Sequence, residues 1–243
     1  MLDLAAPVTD LPPCIRHIGA ERAADACGSA DCAASYRMPA CSRRKLAPSQ
    51  HVFLQGDPQR HVYFVKSGAV RLYELLRSGR RQIVGFKFPG EFIALGYDAK
   101  HRYSAQAMKS TELRSFASAA FHAVAGKHSS FLLKLYEAVA RDLSRAYELT
   151  LSVGQRDAKG SVAAFLLNVE ARAADANGKA AILSVPSRGD IADHLGLTLE
   201  TVSRIVTQLK RDGIIELHER GGVRLIDRAA LLAAADGVSR GLI

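Results

Sequence analysis

No stretch of this 243-residue chain stays apolar for the roughly eighteen residues that a membrane span requires, so no crossing of a bilayer is expected. The opening segment, MLDLAAPVTDLPP, lacks the basic start and apolar core of a secretory signal, and the expected compartment is the cytoplasm. Enzyme signatures are missing too. There is no Gly-x-x-x-x-Gly-Lys phosphate loop, no Gly-x-Ser-x-Gly nucleophile elbow and no His-Glu-x-x-His zinc motif, so catalysis is not expected. Cysteine is absent after residue 41: Cys14, Cys27, Cys32 and Cys41 are the whole supply. In a reducing cytoplasm such crowding favours metal, cluster or redox chemistry over structural disulfides.

Acidic residues are in deficit, 24 against 33 Lys and Arg, and the net charge of +9 suggests a polyanionic partner. The excess is unevenly placed. Residues 37–114 carry fifteen basic and five acidic residues, whereas residues 156–243 carry twelve and eleven. Any DNA-reading element in the second stretch must therefore work by local pattern and not by bulk attraction. The length suits one large domain or two ordinary ones, each with its own core.

Four zones follow from the patterning. Residues 1–45, rich in Ala, Pro and Cys and ending in the basic run SRRK, read as an irregular arm. Residues 46–125 contain short alternating runs (VFLQGD, VYFVKSGAVRLYEL, RQIVGFKFPGEFIAL, AQAMKSTELRSF) separated by Gly, Asp-Pro and Ser-Gly turns, which predict a small antiparallel barrel or roll. Gly56, Gly68, Gly79 and Gly90 fit its turns. Residues 126–155 hold the strongest helical signal. Leu132, Tyr136, Val139, Leu143, Ala146, Thr150 and Val153 recur at alternating spacings of four and three. A helix packed on its own roll would explain an apolar stripe, but a parallel pair across a two-fold axis fits this regular seam better.

Residues 156–243 form the fourth zone. A helix around AAFLLNVEARAA and a strand around AILSV precede PSRGDIADHLGL, where Ser187 and Asp190 have the spacing of an N-terminal cap. Gly196 ends that helix and Thr198 caps the next, the pattern of a helix-turn-helix. Beyond Gly213, IIELHERGGVRLID alternates around Gly221-Gly222, a hairpin signal that would make a wing. In TLETVSRIVTQLK, Val202, Val206 and Leu209 share one face, while Glu200, Ser203 and Arg204 are neighbours on another. That polar patch is either a solvated face with a Glu200–Arg204 ion pair or a reader of base edges. In the major groove Arg can bridge O6 and N7 of guanine, and a carboxylate accepts from N4 of cytosine. A carboxylate facing DNA repels phosphates, so its presence favours base readout.

A roll, a long dimer helix and a winged helix-turn-helix, in that order, resemble the CRP/FNR family of bacterial transcription regulators. The segment SRGDIADHLGLTLETVSRIVTQLKRDGII (187–215) is similar to the FNR/FixK branch, whose reading helix carries Glu-x-x-Ser-Arg, here Glu200, Ser203 and Arg204. The resemblance implies an α+β fold: an N-terminal cyclic-nucleotide-binding-like β-roll, a long dimerisation helix and a C-terminal winged helix-turn-helix. It also implies a homodimer that reads a TTGAT-type inverted repeat in double-stranded DNA, with Arg188 and Thr198 beside the three reading residues. RNA polymerase is the further implied partner, and genes responding to oxygen or redox state are the implied targets.

Relatives that sense cyclic AMP use a roll Glu for the ribose and an Arg-Ser pair for the phosphate. Aligned on PGEFI and on Ser104-Ala105, this chain offers Leu95 and Tyr103 at those positions, with Arg102 one residue early; cyclic AMP is not expected to bind. A regulator gated by another small anion in the basic roll is the alternative. FNR itself holds an iron–sulfur cluster on three arm cysteines and one roll cysteine; the corresponding roll position here is Arg114. Cys14, Cys27, Cys32 and Cys41 could supply four ligands to such a cluster. A cluster on all four is the first reading; free thiols or a redox disulfide come second, and zinc with help from His17 third. His51, His61, His101, His122 and His128 are expected to line surfaces.

Overall fold

Alternation sends every second side chain of a strand to the same face, and in the computed structural model the strands between Cys41 and Ala117 use both faces. The structure describes residues 39–96, 98–154, 156–173, 183–218 and 222–237. Strands β1 (Cys41–Leu46), β2 (His51–Phe53), β3 (His61–Ser67), β4 (Val70–Leu75), β5 (Arg81–Lys87), β6 (Phe92–Ile93), β7 (Ser104–Ala107) and β8 (Thr111–Ala117) build the roll. They form two four-stranded sheets, ordered β1-β8-β3-β6 and β2-β7-β4-β5. Val65 lies opposite Leu113 in the antiparallel pair β3–β8, and Leu72 opposite Ala105 in β4–β7.

On β3 the residues Val62 to Val65 are all buried, because both faces of the strand are covered. Tyr63 and Val65 enter a cluster with Val52, Phe53, Val70, Leu72, Ala105 and Leu113, drawn from both sheets. Val62 and Phe64 face the other way, toward Phe92, Phe116, Phe121, Phe131 and Leu135. Burying such side chains contributes about 1.5–3 kcal/mol each. The last three belong to α1 (Ser118–Lys127) and α2 (Ser129–Gly154), which cover the outer face of the first sheet.

Gly56, Gly68, Gly79 and Gly90 all adopt positive φ. Gly68, between β3 and β4, is the most confined of them: a Cβ there would lie 2.6 Å from the Cα of Thr111. Two expectations are corrected. The basic run SRRK is not irregular: β1 opens at Cys41, and Arg43, Arg44 and Lys45 stand opposite Arg114, Leu113 and Glu112. The run is largely exposed, so it lacks the apolar alternation that would have marked a strand. His101 does not line the surface; it is buried, stacked on the Phe53 ring at 3.5 Å. Burial holds its pKa below the ordinary histidine value, with Asp57 opposing.

The described residues fall into two compact units. One is the roll up to Glu74 with Gly85–Asp142; the other joins Leu75–Val84 to the chain from Leu143 onward. The second unit contains α3 (Ala158–Ala173), β9 (Leu183–Ser184), α4 (Arg188–Leu195), α5 (Leu199–Arg211), β10 (Ile215–Leu217), β11 (Gly222–Leu225) and α6 (Arg228–Ala235). Its three strands pair in the order β10-β11-β9. The passage from α2 to α3 is tied by side chains: Ser161 Oγ is 2.7 Å from the carbonyl of Ser152, and Arg156 reaches Glu148 at 3.1 Å.

Candidate nucleic-acid interface

The helix pair α4–α5 is fixed by its caps. Ser187 Oγ accepts from the backbone N–H of Asp190 at 3.1 Å and donates to the Asp190 carboxylate at 2.9 Å. Such a cap satisfies one of the orphan donors of a helix start. α4 ends at Gly196, whose φ of 69° is left-handed and suits a residue without Cβ. Two residues on, Thr198 caps α5, its Oγ1 accepting from Thr201 N–H at 3.1 Å and lying 3.0 Å from Thr201 Oγ1.

α5 separates its faces sharply. Val202, Ile205, Val206 and Leu209 are buried. Glu200, Arg204 and Thr207 are exposed and Ser203 is half-buried. Thr207 Oγ1 donates to the Ser203 carbonyl at 2.8 Å. The expected alternative, a Glu200–Arg204 ion pair, does not form: among the described residues neither side chain has a hydrogen bond or ion pair. An acid and a guanidinium therefore stand one helical turn apart with their polar atoms uncommitted.

The other named residues take different places. Arg188 is the first residue of α4 and is exposed. Thr198 is exposed but its hydroxyl is engaged in the cap. On the wing, Arg224 binds Glu216 and His218 Nε2 lies 3.5 Å from the same carboxylate. The hydrogen bond from Arg224 holds the Glu216 carboxyl below its ordinary pKa. Sequence reasoning missed Leu199, an exposed leucine at the start of α5, and Arg81, far away in sequence; an apolar residue outside the buried stripe was the signal for the first.

All seven seam residues of α2 are exposed: Leu132, Tyr136, Val139, Leu143, Ala146, Thr150 and Val153. Phe131 and Leu135, by contrast, are buried in the roll's outer cluster. The helix thus uses one stripe on its own roll and leaves the four-three stripe open, with Leu133, Tyr147 and Leu151 exposed beside it.

In the roll, Leu95 packs against the Phe92–Phe121 cluster and Tyr103 against the cluster between the sheets. Burial pushes the Tyr103 hydroxyl up to about 12. Arg102 points outward to Asp98, 3.1 Å away, and Arg114 lies 3.7 Å from Glu112. Cys41 is an exposed free thiol; Cys14, Cys27 and Cys32 lie outside the described residues. Among the described residues no group of three or more His, Cys, Asp and Glu could hold a metal ion, and no helix is long and apolar enough to cross a membrane.

A capped helix pair, a wing and an exposed polar reading face define a winged helix-turn-helix DNA-binding protein. Comparison with known proteins agrees. Residues 160–234 match the Crp-like helix-turn-helix domain and residues 43–128 the cyclic nucleotide-binding domain. The chain is 38% identical over 216 residues to the nitrogen fixation regulation protein FixK of Bradyrhizobium diazoefficiens, covering 88% of this chain and 91% of that one. It is 37% identical to the transcriptional activatory protein AadR of Rhodopseudomonas palustris, covering 79% and 81%. The solved structure of FixK2 from Bradyrhizobium japonicum is similar at a TM-score of 0.73 and 34% identity, covering 80% of this chain and 97% of that one. The chain belongs to the CRP/FNR family, in its FixK-like branch, and is a DNA-binding transcription regulator, not an enzyme.

Proposed function

We propose that the protein acts as a homodimer reading a TTGAT-type inverted repeat, with Glu200 and Arg204 contacting G·C pairs and Ser203 a neighbouring base. The uncommitted Glu200 and Arg204 side chains carry this reading. A solvated helix face of such composition would gain a few tenths of a kcal/mol from pairing them, yet they stay apart. Arg188 reaches a phosphate from the start of α4, while Thr198 contributes through the cap that sets the angle of α5. Two copies join along the open α2 stripe, since a seam of seven exposed residues, six of them apolar, is a surface awaiting a partner. The near-neutral charge of the reading domain also favours affinity shared between two half-sites.

The roll in this reading takes no cyclic nucleotide. Leu95 and Tyr103, which the resemblance aligns with the ribose and phosphate residues, pack against the roll's apolar clusters, and Arg102 is turned out to Asp98. The same outward turn disfavours a different small anion at that place. The resemblance to the FNR/FixK branch supports control of oxygen- or redox-responsive genes in the cytoplasm together with RNA polymerase. The test is binding of the full-length protein to a labelled duplex with two TTGAT half-sites, against a duplex with both scrambled. The reading requires a preference for the repeat of at least about 10³-fold at physiological salt; equal affinities would overturn it.

A further inference from the structure

The tip of the β4–β5 hairpin belongs to the same compact unit as the helix-turn-helix, and its residues grip α4. Arg81 Nε donates to Asp193 Oδ2 at 2.9 Å, and its Nη2 donates to Asp193 Oδ2 at 2.7 Å and to Asp190 Oδ1 at 2.9 Å. The neighbouring Gln82 donates through Nε2 to the carbonyl of Asp193 at 2.7 Å. His194 donates from Nδ1 to the carbonyl of Ile83 at 3.0 Å, its ring packed edge-on to Phe165. Three consecutive hairpin residues thus bind both the side chains and the last-turn backbone of one eight-residue helix.

These contacts are of a selective kind. A guanidinium fork spanning two carboxylates fixes direction as well as distance, which a single ammonium does not. Asp190 is nearly fully buried, and its other oxygen already serves the Ser187 cap. The carbonyls of a final helical turn have no partner within their helix, and Gln82 supplies one from more than a hundred residues away. The gripped turn leads through Gly196 and Leu197 straight into the cap of the reading helix.

We propose that Arg81 is a positioning residue for DNA reading: through Asp190 and Asp193 it locks α4, and with it α5, at one setting, so that the dimer accepts one half-site spacing. The proposal rests on the reading of an inverted repeat given above. Without the lock each reading head is held by the α2–α3 passage and rotates about it. A freed head still reads its own half-site. What it loses is the simultaneous fit of two heads at fixed separation, and with it the penalty for a wrong separation.

The test uses the full-length dimer and four duplexes: the TTGAT repeat, the repeat with its spacer one base pair longer or shorter, and a single half-site with the other scrambled. Arg81→Gln and Asp193→Asn should each weaken binding to the repeat by about fivefold or more, leave single half-site binding within twofold, and flatten the ratio between correct and altered spacers. Asp193→Asn sits on the exposed side of the clasp and keeps the experiment informative should Arg81→Gln unfold. Arg81→Lys retains the charge and should restore less than half of the lost spacing discrimination; full restoration would show a charge effect and overturn positioning. Unchanged spacer ratios in both neutral variants would overturn the lock alone. A wild-type protein indifferent to the repeat would overturn the underlying reading, and the lock with it.

Discussion

Arg204 and Glu200 sit on a helix whose other face is sealed, so substituting them changes what the surface can touch without disturbing the fold. Arg204→Ala is expected to cost about 1–3 kcal/mol per half-site and to relax the preference at the guanine. Competition binding with every base at that position measures this; an unchanged preference would refute the contact. Glu200→Ala should lower affinity for the repeat while raising affinity for random duplex, because a carboxylate near phosphates has been removed. That both residues stand exposed opposite a buried stripe was legible from spacing, since an i, i+4 pair across the helix from valines is a local property. His101 and Arg81 were not. Phe53 lies 48 positions from the histidine that stacks on it, and Asp193 lies 112 from Arg81. No window along the chain contains both partners.

Among elements, α2 divides its labour most clearly. Its first two turns bury Phe131 and Leu135 under the roll, and the stripe from Leu132 to Val153 stays open. Leu143→Glu should therefore leave the monomer folded and split the dimer, with sedimentation velocity reporting half the mass and far-ultraviolet circular dichroism unchanged; a dimeric variant would place the seam elsewhere. The regular four-three spacing made this stripe legible, as the caps at Ser187 and Thr198 made α4 and α5 legible. β1 escaped notice because an exposed strand carries no alternation. At α4, burial lowers the His194 pKa; the hydrogen bond to the Ile83 carbonyl opposes this and the Arg172 charge adds to it. His101 shares the direction. Below the ordinary histidine value of about 6.5 the unfolded chain takes up protons that these folded histidines refuse, so stability falls as pH falls through that range. Melting temperatures at pH 7.5 and 5.5 should differ, and His194→Asn should reduce the difference; an unaffected slope would exclude His194 as a source.

For the whole molecule, the described part holds a roll unit and a reading unit, and the cysteine question falls mostly outside it. Cys41 alone is described, as a thiol exposed on β1. If it joins Cys14, Cys27 and Cys32 around an iron–sulfur cluster, anaerobically purified protein should carry iron and acid-labile sulfide and absorb in the visible. Colourless, iron-free protein fully active on DNA would remove the cluster. The fold class and the order of its parts were legible because each zone has its own periodicity, whereas charge was ambiguous, with the excess lying in the roll and not in the reading domain. Part of that excess lies on a sheet edge. Among the described residues β1 forms one edge of its sheet, paired to β8, and carries Arg43, Arg44 and Lys45 in succession. An open strand edge is a template on which another chain can add itself, and a row of cations is among the few features that deter such addition. Replacing the run by Thr-Val-Thr is therefore expected to let rolls join edge to edge, which light scattering at rising concentration would report; a variant that stays as monodisperse as the wild type would deny the run this role.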